Sequence, residues 1–290
     1  MILIDLNQVM ISVLMKHLSD LGTPNSAIDV GIVRHKILNT IRSLRSKFIE
    51  KYGELVITCD GQNCWRRDTF PYYKASRKKS RDETDLDWND LFGALNTVRD
   101  ELKEFFPYKV IQIDRAEADD VIASLCHRYG SFGLCLGKPI LIVSGDKDFV
   151  QLQKYANVEQ WSPTQKVFLR EPNPARFLHE HIIRGDRGDG VPNFLSADDV
   201  FVTEGTRQTP ITQKKLDSWN GKNPEEFCDE RMLRNWKRNQ LMVDLDLVPD
   251  YIQAAVKKEF DSQEEGDRSK LFNYFISRRL RNLMDSINDF

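Results

Sequence analysis

In the first half of the chain, apolar residues fall alternately in short, mostly continuous runs and in longer stretches at helical spacing. Short apolar runs suit strands of a parallel sheet covered on both faces. Residues 2–6, 55–59, 110–113 and 140–143 are of this kind. Between them, residues 30–48 carry Ile37, Leu38, Ile41, Leu44 and Phe48, and residues 91–106 carry Leu91, Leu95, Val98, Leu102 and Phe105. Both patterns repeat at the three-to-four-residue period of a helix with one buried face. A third helix is predicted over 116–129, because it opens on acidic residues that suit a helix N-terminus and stops at Gly130. Strands alternating with helices predict a parallel α/β sheet flanked by helices.

After about residue 172 the texture changes. Pro172 and Pro174 punctuate the chain, strand signals fade and helical stretches dominate. The pattern predicts two domains, 1–174 and a smaller helical one over 175–290.

Composition changes this picture little. The 290 residues are 40% hydrophobic and 30% charged, ordinary values for a globular protein. No apolar run reaches the length of a membrane helix, and the first residues lack the basic lead of a signal peptide. Five cysteines with no C-x-x-C pair suggest reduced thiols and a cytoplasmic setting. The net charge of −2 does not by itself suggest a polyanion ligand, but its distribution does. Residues 65–81 hold seven basic side chains against one acidic one.

The acids are also unevenly placed. Each strand run contains an aspartate or precedes one closely: Asp5, Asp60, Asp114 and Asp146. In open parallel sheets ligands bind beyond the carboxyl ends of strands, so these side chains can converge. Asp114 reads better as a turn residue leading into the next helix, since Glu117 and Asp119 follow so closely; Asp120 lies beside them. Asp148, Asp186 and Asp189 complete the set. Carboxylates are the proper donors for hard divalent cations, and without cations such a cluster would repel itself. Glu117 and Asp120 share a helix face, so Asp119 joins them only if the first turn meets the ions end-on.

The motifs that carry these residues have a family likeness. They are LIDLNQ at 3–8, WRRD at 65–68, YYKASR at 72–77, AEADD at 116–120, SGDKDF at 144–149, QWSP at 160–163 and GDRGD at 185–189. In this order the chain resembles the flap-endonuclease family of structure-specific 5′ nucleases, most closely the ribonucleases H of T-even-type phages. The resemblance implies a PIN-like, Rossmann-like sheet and a helical domain with a helix-loop-helix that grips duplex. It implies two Mg²⁺ ions, with Mn²⁺ as a substitute, and K⁺ in the helix-loop-helix. Asp5, Asp60, Glu117, Asp119 and Asp146 correspond to ligands of the ion that activates water. Asp148, Asp186 and Asp189, with Asp146 shared, correspond to the second group, and Asp120 lies in or behind the first. The second domain would then complete the site. The implied substrates are DNA duplexes and RNA–DNA hybrids with 5′ single-stranded ends or flaps. A single-stranded-DNA-binding protein and a sliding clamp are the partners suggested by family analogy. A monomer in the cytoplasm of a host bacterium is the implied setting. One departure is Gly190-Val191-Pro192-Asn193, where family members often carry Asn and Ile-Pro-Gly.

Residues 61–87 interleave cations with Trp65, Phe70, Tyr72 and Tyr73. Cations neutralise phosphates and aromatic faces stack on unpaired bases. Arg66, Arg67, Tyr72, Lys78 and Lys79 are therefore candidate nucleic-acid contacts, as are Arg184 and Arg187 near the GDRGD loop. By the resemblance this segment bridges the active site, and Lys74 and Arg77 match its catalytic phosphate-steering cations. Asp82, Glu83, Asp85 and Asp87 read as helix-entry or solvated residues. His179-Glu180-His181 lacks a third ligand nearby and reads as surface helix. Two rivals remain: a single-strand ribonuclease, which leaves Asp186 and Asp189 unexplained, and a non-catalytic branched-DNA-binding protein, against which the full carboxylate set argues.

Overall fold

The computed structural model describes residues 1–21, 28–77, 81, 83–84, 86–132, 137–264 and 266–290. Its six-stranded sheet has the order β3-β2-β1-β4-β5-β6. The strands are β1 (Ile2–Asp5), β2 (Leu55–Cys59), β3 (Lys109–Gln112), β4 (Ile140–Val143), β5 (Val158–Ser162) and β6 (Val167–Leu169). All pairs are parallel except β5 with β6. The first half of the sequence therefore winds from β1 to one side of the sheet, and β4 returns to the other side. That reversal puts a crevice at the carboxyl ends of β1, β2 and β4.

Apolar residues fill β4 and all of β1 but its last residue, Asp5, because the strands are buried on both faces. Ile2 and Ile4 point into one core and Leu3 into the other; Ile57 and Val56 divide in the same way. Helix α1 (Leu6–Leu21) follows β1 without a break. The sequence pattern does not predict it, since it starts with no capping signal, yet Leu6, Val9, Met10, Leu14 and Leu18 bury a regular face. Helix α2 (Val30–Tyr52) is capped by Asp29, whose carboxylate accepts from the backbone N–H groups of Gly31 and Ile32, and it ends at Gly53 with φ +83°. After the short α3 (Trp65–Thr69) comes α4 (Trp88–Phe105), where Asp87 caps the first turn. Helix α5 (Ala118–Tyr129) begins with a reciprocal cap between Glu117 and Asp120 and ends at Gly130. A 3₁₀ helix, Lys147–Lys154, follows β4.

Strands β5 and β6 are also absent from the sequence prediction. Val158–Ser162 reads VEQWS, and the polar Gln160 at its centre breaks the apolar signal although it is fully buried. After Pro172 come α6 (Pro174–Arg184), α7 (Gln213–Trp219), α8 (Glu230–Val243), α9 (Asp250–Ser262), α10 (Leu271–Ser277) and α11 (Arg281–Met284). The helical part shares cores with the sheet. Ile183, Trp236 and Ile252 join the cluster on one face of the sheet, while Tyr274, Phe275, Leu283 and Phe290 join the other. Phe290 packs edge-on against Phe106 and Phe275. Among the described residues no helix is long and apolar enough to cross a membrane.

Candidate metal centre and nucleic-acid interface

At the carboxyl end of the sheet lies an open cleft of about 970 Å³, and Asp5, Asp60, Glu117, Asp119 and Asp146 all line it. Asp5 ends β1, where its carboxylate accepts from the Gln8 backbone N–H (3.1 Å) and from Ser144 Oγ (3.2 Å). Asp60 follows β2 and accepts from Asn7 Nδ2 and from the Ala118 N–H at 2.8 Å. Asp146 caps the 3₁₀ helix by accepting from the Asp148 N–H at 3.0 Å. Gln160, which opens the QWSP motif but is given no role by the sequence, holds this turn from behind. Its amide donates to the carbonyls of Ser144 (3.0 Å) and Asp146 (2.6 Å).

The first turn of α5 decides between neighbouring acids. Asp119 faces the cleft, so the helix does meet it end-on. Asp120 turns the other way and is 0% exposed. It accepts from Trp65 Nε1 (3.1 Å) and the Glu117 N–H (2.9 Å), and Arg66 grips both of its oxygens at 2.8 and 3.0 Å. A shared face for Glu117 and Asp120 thus produces a capping pair, not two groups in the cleft. Asp120 as a direct metal ligand is corrected here: it is fully buried against Arg66 and does not line the cleft.

Crowding and burial show in the proton affinities. Burial, then repulsion from Asp60 and Asp146, pushes Asp5 up to about 7. Burial and Asp148 push Asp146 up to about 6. Asp119 is raised well above the ordinary range by burial and then by Asp146 and Asp5. Glu117 differs: burial opposes its ionisation, but Lys74 and Arg66 hold it down to about 2. Three oxygen donors destabilised as anions, on one wall of an open cleft, match what a hard divalent cation requires.

A second acidic group adjoins the first. Asp186 follows α6 and accepts from the Asp189 N–H at 3.1 Å; Lys147 pairs with it at 2.8 Å. Burial would raise Asp186, but Lys147 keeps it lowered. Asp148 lies with Asp186 and His181 in a cluster whose donor atoms fall within 4.8 Å of one another. His181 is 6% exposed, so the surface-helix reading is corrected for this residue of the 179–181 run. It escaped notice because its partners lie far off in sequence. Asp189 turns towards the basic segment, with Arg77 Nη2 at 2.6 Å and Lys74 Nζ at 3.6 Å. The Tyr73 hydroxyl sits between Glu117 (2.8 Å) and Asp189 (2.9 Å). Asp114 occupies an exposed turn and does not line the acidic cleft.

The basic segment sorts its residues by depth. Lys74, Arg77 and Arg81 line the cleft with Arg187. Arg67 and Arg184 are exposed, and Tyr72 is half-buried. Arg66 as a nucleic-acid contact is corrected: it is 2% exposed and its Nε donates to the Met242 carbonyl at 3.1 Å, so no phosphate can reach it. Trp65, Phe70 and Tyr73 are 5%, 2% and 3% exposed and belong to the core, so they cannot stack on bases. The aromatic wall of the cleft comes instead from Trp88, Phe92 and Phe201. Lys78, Lys79, Asp82 and Asp85 lie outside the described residues.

The loop after α6 is built for close approach. Gly190 has φ +74°, and a Cβ there would sit 2.8 Å from the Tyr72 carbonyl. Lys74 N–H donates to the Asp189 carbonyl at 2.7 Å, joining this loop to the basic segment. Helix α8 clamps the loop through Asn239, which donates to the carbonyls of Ile182 and Pro192, and through Asn235, which donates to those of Phe194 and Ser196. A run of turns separates the loop from α7, so the helix-loop-helix here is α6, loop, turns and α7.

Cys59 is a core residue; burial pushes its thiol up to about 12, which leaves no nucleophilic thiolate at neutral pH.

Known proteins resemble this chain in sequence and in architecture. Residues 1–179 match the 5′-3′ exonuclease N-terminal resolvase-like domain, and residues 177–290 match the C-terminal domain of T4 RNase H. Ribonuclease H of Enterobacteria phage T4 is 33% identical over 99% of this chain and 95% of that protein. A 5′-3′ exonuclease of Buchnera aphidicola is 25% identical over 54% of this chain and 53% of its own length. Among solved structures, the phage T5 D15 flap endonuclease, captured with DNA and metal ions, superimposes with a TM-score of 0.60 over 90% of this chain and 97% of that one, at 17% identity. A T5 5′-exonuclease with bound zinc gives 0.57, also at 17% identity and over 90% and 98% of the two chains. These structures establish the shared fold. The sequence matches go further, and by them the chain belongs to the 5′-3′ exonuclease family of nucleases.

Proposed function

We propose that this chain is a structure-specific 5′ nuclease, acting as a 5′→3′ exonuclease and flap endonuclease with ribonuclease H activity. Its task would be removal of RNA primers and adjacent DNA during replication. The observation that carries the reading is the convergence of Asp5, Asp60, Glu117, Asp119 and Asp146 in one cleft beside Lys74 and Arg77.

Asp5, Asp60, Glu117, Asp119 and Asp146 would hold one Mg²⁺, and Asp148, Asp186 and Asp189, sharing Asp146, a second; Mn²⁺ would substitute. When bound, two such ions supply Lewis acidity to the phosphodiester and lower the pKa of the attacking water. Lys74 and Arg77 would neutralise the phosphoryl group under attack, displacing their present contacts with Glu117 and Asp189. Arg67, Arg184 and Arg187, with Lys78 and Lys79, would bind phosphates of duplex or flap without reading sequence. Trp88, Phe92 and Phe201 offer faces for unpaired bases. K⁺ in the 185–195 loop, action as a monomer in the host cytoplasm, contacts with a single-stranded-DNA-binding protein and a sliding clamp, and a division into domains near residue 174 complete the proposal.

The test uses 5′-labelled flap, nicked and RNA-primed duplexes with and without Mg²⁺. Junction-dependent products that require the cation are expected. Cleavage that ignores the junction, or binding without any product, would refute the reading.

A further inference from the structure

Helix α6 delivers to the second acidic group a donor of a different kind. His181 Nε2 lies 3.0 Å from Asp148 Oδ1 and 3.7 Å from Asp186 Oδ2. Although the first two atoms nearly touch, neither has a hydrogen-bond partner. Both atoms are buried, so water does not satisfy them either. Two buried polar atoms this close with no aligned hydrogen bond are costly, because each has lost its hydration. A cation between them removes that cost, since imidazole nitrogen and carboxylate oxygen both donate lone pairs. The ring is already held in place: Phe177, one turn earlier on α6, stacks on it at 5.8 Å between centroids. Asp148 is tethered too, through the Gln151 amide that donates to its carbonyl at 2.8 Å. Lys147, paired with Asp186, has a side chain 56% exposed and can swing outwards.

We infer that Asp148, His181 and Asp186 form a cation site in which the His181 imidazole nitrogen is itself a ligand. This position therefore favours first-row transition cations, with Mn²⁺ and Co²⁺ as probes, over Mg²⁺. The physical ground is ligand type: Mg²⁺ demands oxygen donors and retains water, whereas imidazole suits the transition series. The inference rests on the two-ion reading of the cleft and assigns its two positions different chemistry. The neighbouring group, Asp5, Asp60, Glu117, Asp119 and Asp146, offers oxygen alone.

The experiment is Mn²⁺ titration of the full chain, with free ion counted by electron paramagnetic resonance and bound ion examined by pulsed methods for coupling to ¹⁴N. Two bound ions are expected, one with the coupling of a directly bound nitrogen. His181→Asn should abolish that coupling and weaken one site about tenfold or more, leaving the other unchanged. Asp148→Asn should remove the same coupling, which guards against a folding defect peculiar to the histidine variant. Mg²⁺ should displace Mn²⁺ from the nitrogen-free position first. Two bound ions with no nitrogen coupling in the wild-type protein would overturn the inference and leave the two-ion reading standing. Absence of any bound Mn²⁺ would overturn both. Nitrogen coupling in a protein that cuts none of the branched substrates would overturn the nuclease reading alone.

Discussion

Replacing Arg66 by methionine tests whether this residue belongs to the core or to the nucleic-acid surface. The guanidinium is 2% exposed and lies 2.8 and 3.0 Å from the two oxygens of Asp120 and 3.1 Å from Glu117. It also donates to the Met242 carbonyl and so ties α3 to the end of α8. Methionine fills much of the volume but brings no charge. Glu117 would keep Lys74 and Tyr73 as partners, whereas Asp120, 0% exposed, would keep only two neutral donors. Breaking a buried pair by removing one partner costs about 3–5 kcal/mol. Against a total stability of about 5–15 kcal/mol, this is a large fraction. Urea unfolding of metal-free protein, followed by tryptophan fluorescence, should show a lower midpoint with an unchanged slope. Adding Asp120→Asn removes the stranded charge, so the double variant should be about 1–3 kcal/mol more stable than the sum of the single changes implies. A loss under about 1 kcal/mol for Arg66→Met, or strict additivity in the cycle, would refute the argument. A stable variant that instead loses DNA affinity would return Arg66 to the binding surface.

Asp119→Asn and Asp146→Asn should each abolish Mg²⁺-dependent cleavage while leaving binding to a primer–template largely intact; normal turnover by either variant would remove it from the cation cage. Lys74→Ala should slow single-turnover cleavage more than it weakens substrate binding, and an effect on binding alone would make it a surface contact. Gln160→Leu deprives the Ser144 and Asp146 carbonyls of their donor, so cation affinity measured by calorimetry should fall about 10–100-fold; unchanged affinity would show that the turn holds itself. In metal-free protein, Asp5 and Asp146 bind protons more tightly when folded than when unfolded, up to about 7 and about 6. The native state then carries more protons than the unfolded chain between pH 4 and 7, so stability falls as pH rises through that window. Thermal unfolding in chelator should show that decline and Mg²⁺ should oppose it at the upper end; a rise in stability across the window would contradict the crowded-carboxylate picture.

Much of the scaffold is legible along the chain because its causes are local. Strands β1 to β4 are short and buried on both faces, so they read as apolar runs. Helices α2, α4 and α5 bury one face each, which is the period the sequence shows; Asp29, Asp87 and the Glu117–Asp120 pair cap their first turns. The aspartates at the strand ends follow from the same logic, since a parallel sheet points its carboxyl ends one way. Strand β5 was hidden because Gln160 is polar; its amide serves backbone carbonyls of the turn after β4, a use that hydropathy does not register.

Only the folded chain decides between neighbours of the same type. Asp119 faces the cleft and Asp120 the core because α5 rotates its first turn against α3. Arg66 is buried and Arg77 exposed because one sits on a helix packed under α8 and the other on the cleft rim. His181 reads as a surface residue until α6 presses it against Asp148. Residue type and short-range spacing determined which chemistry the chain could hold. Which side chain delivers it depended on contacts between segments far apart in sequence, which leave no period along the chain to be read.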